Sequence, residues 1–127
     1  MSRTRIRWTS IALAIGVALQ VPVAGWAHHS FAMFDKAKVV KVLGTVSKVE
    51  WANPHVFLFV QGKEAAGKPA EYAIECASVN DLTRHGWKMG MVKVGDRVTV
   101  EIYPLRDGKP GGLVDAVTLA NGTKIKQ

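Results

Sequence analysis

The chain has 127 residues, with 17 Lys and Arg against 10 Asp and Glu, a single Cys and 48% apolar side chains. That describes one small domain: a second core does not fit, and the apolar content excludes low-complexity disorder. One cysteine excludes an intramolecular disulfide framework and every Cys-pair zinc or redox motif, so a metal site has to be built from His, Met and carboxylate.

Residues 1–27 read as a secretory signal peptide: a basic start with Arg3, Arg5 and Arg7, an apolar run from Ile11 to Val23, and the small-residue end Ala24-Gly25-Trp26-Ala27. Gln20 and Pro22 interrupt the run, which falls short of the roughly 20 apolar residues of a membrane span. Cleavage after Ala27 starts the mature chain at His28-His29-Ser30-Phe31, and no stable membrane insertion is expected after it. Of the 17 basic residues, three leave with the leader; 14 remain against 10 acidic ones, a charge of +4 over 100 residues. Much of the overall charge of +7 therefore belongs to targeting, which weakens any nucleic-acid reading.

Residues 28–38 are an N-terminal extension, followed by a β-rich domain over 39–122 and a frayed tail over 123–127. A long first strand is predicted from Val39 to Trp51. Its apolar positions slip phase, from Val40, Val42 and Val46 to Val49 and Trp51, and Gly44 lies inside it, which predicts a bulge or sharp coil. After Asn53-Pro54, the second strand, His55 to Val60, is apolar at both parities and is either buried on both sides or sticky on one. The third, Glu71 to Ala77, alternates Tyr72, Ile74 and Cys76 inward with Glu71 and Glu75 outward. Ser78 is placed to cap a short helix, Val79 to His85, that stops at Gly86.

The fourth strand, Arg97 to Tyr103, places Val98, Val100 and Ile102 inward, and the fifth runs from Leu113 to Ala120 after the loop Pro104 to Gly112. Three strands, a helix and two strands, with a long kinked first strand, is the order of an all-β, five-stranded OB-like Greek-key barrel. Another small β-barrel of SH3 type is the alternative, because strand order across a sheet is not written in one sequence.

The candidate chemistry begins at the expected mature terminus. His28 offers an α-amine and an imidazole and His29 a third nitrogen, a donor set that suits copper as Cu(II). His55 follows the turn Asn53-Pro54 in the loop between the first two strands, one of the two loops that frame an OB ligand face. It is the candidate third ligand; the alternative has it hydrogen-bonding nearby backbone. Trp51, Asn53, Phe57, Trp87 and Arg106 are candidate ligand-binding residues on the face and loops. Trp87-Lys88-Met89-Gly90-Met91 also reads as a possible Cu(I) cluster of indole and thioethers, or as core and gap filling. No nucleophile elbow, metalloprotease helix or phosphate loop is present, so the reading is binding and not catalysis.

Several motifs together are specific: Ala27-His28-His29-Ser30-Phe31, Gly44-x-Val46, Glu50-Trp51-x-Asn53-Pro54-His55, Leu82-x-x-x-Gly86-Trp87, Gly95-Asp96-x-Val98, and Pro104 with Asp107-Gly108. In these the chain resembles a family of small secreted bacterial proteins, domain of unknown function 6152. That resemblance implies a periplasmic or secreted β-barrel without an assigned activity. The sequence reading is thus an exported binding protein that holds a metal ion, copper by donor chemistry. The alternative is an adaptor for a periplasmic protein or small ligand.

Overall fold

A computed structural model describes residues 31–127; the expected signal peptide, residues 1–27, and the His28-His29 pair lie outside the described residues. The period-2 patterns form the strands they predict: β1 (Val40–Glu50), β2 (Phe57–Glu64), β3 (Ala70–Glu75), β4 (Arg97–Pro104) and β5 (Gly111–Leu119), with helix α1 (Val79–Arg84) between β3 and β4. Neighbouring strands follow the order β3-β2-β1-β4-β5, and a short parallel pairing of β3 with β5, from Ala73–Gly111 to Glu75–Leu113, closes the sheet on itself. This is the five-stranded OB barrel, and the closure excludes an open sheet.

The phase slip in β1 is a bulge. The β1–β2 register shifts between Val46 and Lys48, which turns Val42 and Val46 inward before it and Val49 inward after it. The extra residue, Ser47, shares its one hydroxyl hydrogen between Phe59 O at 3.1 Å and Glu71 Oε2 at 2.9 Å, so the kink is tied to β2 and, across it, to β3. Gly44 lies opposite Gly62 where β1 and β2 approach most closely: a Cβ on Gly44 would fall 2.3 Å from Gln61 O.

The core fills the barrel with Val42, Val46, Leu58, Val60, Ile74, Val100, Ile102 and Val117, and α1 plugs one end through Leu82. Ser78 caps α1 by accepting the Asp81 N–H, as expected. Trp87 follows the helix, 1% exposed, with its indole N–H donating to Lys126 O at 2.8 Å.

Two ends of the chain differ from the sequence reading. The segment 123–127 is not frayed: β6 (Lys124–Lys126) pairs with β5, buries Ile125, and is held by Gln127, whose side-chain oxygen accepts the Ala77 N–H at 2.6 Å. A three-residue Lys-Ile-Lys stretch is too short to show an alternation. Ahead of β1, Phe34 is buried against the β4–β5 loop, bridging Leu105, and Asp35 N–H donates to Pro104 O. Packing thus begins before residue 39.

Glu101 couples β6 to the barrel. Lys124 Nζ donates to its carboxylate at 2.6 Å and Lys41 Nζ lies 3.6 Å away, and together they hold this carboxyl below its usual range against partial desolvation. A depressed carboxyl stabilises the fold above its unfolded titration range, about pH 4, and the contribution disappears as pH falls through the folded value. Urea titrations at pH 7 and pH 3 are therefore expected to give a smaller acid loss of stability for Glu101→Gln than for the parent chain.

Candidate functional site

The loop 51–56 carries the site's central side chain. Val56 N–H donates to Ala77 O and Cys76 N–H returns to Val56 O, which ties the start of β2 to the chain leaving β3 and sets His55 beside Glu75 and Cys76. His55 is half-exposed; its Nδ1 lies 3.2 Å from Cys76 O and 3.4 Å from Glu75 Oε1. Both partners are acceptors, so Nδ1 carries a hydrogen toward them. Glu75 was expected to point into solvent from the alternation of β3. It is on the outer side, but 9% exposed, because the imidazole covers it.

Next to this pair the outer surface of β1–β3 carries an aromatic stripe. Phe57 and Phe59 are half-buried, their ring centroids 6.3 Å apart, and Lys48 Nζ stands 5.1 Å from the Phe59 centroid. The apolar second strand is thus buried on one side, through Val56, Leu58 and Val60, and partly exposed on the other. Three carboxylates surround the stripe: Glu50, paired with Lys48; Glu71, accepting from Ser47 and Gln61; and Glu75.

The other sequence candidates have structural roles here. Asn53, in a cis peptide bond with Pro54, uses its side-chain oxygen to accept the Val79 N–H at 3.0 Å, capping α1 from 26 residues away. Asn53→Ala is expected to cost about 1 kcal/mol, the typical worth of a helix cap, and to lower the melting temperature by about 5 °C in thermal unfolding. Trp51 is half-buried and packs on the core instead of standing out as a docking residue. Trp87 is buried and already hydrogen-bonded, so no surface ligand reaches it. Met89, by contrast, is 74% exposed, and Met91 packs against the edge of the core.

Arg106 does not face an open ligand site. Its Nε donates to Ala32 O at 3.0 Å, its backbone N–H to Met33 O, and its guanidinium lies 3.9 Å from Asp35, so it clamps the segment before β1 onto the β4–β5 loop. His55 and Arg106 therefore serve two different places. Cys76 is buried; desolvation, reinforced by the negative charge of Glu75, pushes its thiol up and away from reactivity. Among the described residues, no three His, Cys, Asp or Glu side chains form a group that would hold a metal ion. Sequence reasoning missed Glu75 as the partner of His55, because an alternating glutamate on a strand looks the same whether solvated or covered.

No curated protein matches the sequence. Among solved structures, the fold is similar to a mitochondrial single-stranded DNA-binding protein from S. cerevisiae, Rim1, in its second crystal form. The identity is 14% and the TM-score 0.44, over 65% of this chain and 94% of that one. A family model matches residues 16–116, a span that includes β1, the Trp51-to-His55 loop, α1 and most of β5, and the chain belongs to that family, a family of unknown function (DUF6152).

Proposed function

We propose that this is an exported, periplasmic or secreted, non-enzymatic binding protein that holds a metal ion, copper by its donor chemistry, through His28, His29 and His55. The observation that carries the reading is the orientation of His55. A metal-binding histidine characteristically donates its second ring N–H to a carboxylate or backbone carbonyl, which fixes the tautomer and raises ligand basicity. The contacts of His55 Nδ1 with Glu75 and Cys76 support this reading, in which Nε2 is the atom that binds the metal. The remaining nitrogens come from the terminus that export would create at His28, where an α-amine and two imidazoles favour Cu(II).

The test is a Cu(II) titration of protein beginning at His28, beside a version with one extra residue ahead of it. The extended version is expected to bind at least about tenfold more weakly, because its amine no longer belongs to a histidine. Glu75→Gln is expected to lose about tenfold through the misoriented ring. Equal binding by all three proteins, or none by any, removes the reading.

A second reading is favoured by the Phe57–Phe59 stripe: an adaptor for a periplasmic protein, docking on the outer surface of β1–β3. Nucleic acid is not its ligand in this reading, since Glu50, Glu71 and Glu75 would repel phosphates. Phe57→Ser with Phe59→Ser separates the two readings: it abolishes partner capture and leaves Cu(II) affinity unchanged.

A further inference from the structure

The wall of the barrel away from His55, formed by β1, β4 and β5, carries a second arrangement that none of the motifs above uses. Strand register sets its side chains in rows. Leu43 lies opposite Thr99, and Thr99 opposite Thr118; one row along, Thr45 lies opposite Arg97. All point outward, because their neighbours Val42, Val98, Val100 and Val117 point into the core. The twist of the three strands makes this surface a shallow hollow of about 500 Å³, within the size range of small-molecule sites, lined by these residues with Leu119.

The contents of the hollow are chemically selective. Arg97 is exposed and, among the described residues, makes no side-chain ion pair or hydrogen bond, and neither do the hydroxyls of Thr45, Thr99 and Thr118. The nearest acidic groups are engaged elsewhere: Asp96 accepts the Lys93 N–H at 2.9 Å, and Glu101, in the next row, is held between Lys41 and Lys124. Leu43, 55% exposed, adds apolar surface beside the guanidinium. A planar guanidinium pairs with a carboxylate through two parallel hydrogen bonds, more specifically than a point charge does. A purely inorganic anion would leave Leu43 uncovered, and a neutral apolar molecule would leave Arg97 without a partner.

We propose that this hollow binds a small amphiphilic carboxylate, with its head on Arg97, its chain along Leu43, and the threonine hydroxyls lining its path. The strands form the closed barrel wall, so the site is pre-formed. The site is independent of the His55 reading and stands or falls separately.

The experiment titrates octanoate, inorganic phosphate and octanol into the full chain and follows the backbone amides of Leu43, Arg97, Thr99 and Thr118 by NMR. Octanoate is expected to saturate these shifts at least about tenfold more tightly than either control. Arg97→Gln is expected to weaken octanoate by about tenfold, and Arg97→Lys to fall between, keeping the charge without the fork. Both are surface changes expected to leave the melting temperature nearly unaltered. Octanoate shifts that do not saturate, that are unchanged in Arg97→Gln, or that phosphate or octanol reproduces at equal affinity overturn the proposal.

Discussion

Trp87→Ala is expected to destabilise the protein by about 4 kcal/mol and to lower its melting temperature by about 20 °C, a large share of the stability of a domain this size. Two effects combine. The indole is buried in the core after α1, and truncating it opens a large cavity there. Removing its N–H also deprives Lys126 O of its partner and loosens β6. Trp87→Phe separates the two, keeping most of the apolar volume while losing the hydrogen bond, at an expected cost of about 1–2 kcal/mol. Hydrogen exchange supplies the second readout. In Trp87→Phe the amides of β6 are expected to exchange faster while those of β4 keep their protection; equal protection of β6 in both proteins would show that the indole N–H does not hold the strand.

Gly44→Ala is expected to cost about 3 kcal/mol, measured by urea unfolding, despite adding only one methyl group. The added Cβ would meet Gln61 O at 2.3 Å and Gly62 Cα at 2.7 Å, both backbone atoms that no rotamer change moves aside. Relief requires β1 and β2 to separate at the point where the long strand coils from one half of the barrel to the other. Gly67→Ala is the control: it lies in the loop after β2 and its nearest contact is Cβ of Glu64, the last residue of that strand, at 3.3 Å, so a loss of less than about 1 kcal/mol is expected. If the two substitutions cost the same, the close approach at Gly44 is not what selects glycine there.

What was legible in the sequence was what short-range periodicity encodes. The alternation of β4 placed Val98, Val100 and Ile102 inward, and the phase slip of β1 announced its bulge, because in both cases one side of the strand must be buried. Contacts between distant residues were not legible. The Asn53 cap reaches across 26 residues and the Arg106 clamp across 74, and nothing in the local sequence distinguishes either side chain from one waiting for a ligand. The pairing of β3 with β5 that closes the barrel was also out of reach, since three parallel residue pairs leave no pattern. Of the candidate site, His55 was found from its turn and Glu75 was not. Nothing in the local sequence marks Arg97, since the hollow around it is made by three strands drawn from separate stretches of the chain.

The short strand β6 also governs how this barrel can meet other proteins. It occupies the flank of β5 that would otherwise invite another chain to add a strand, and it is itself only three residues long with lysines at both ends. Such a rim is a poor template for backbone-to-backbone association. Recognition at that rim is therefore left to side chains and not to an added strand.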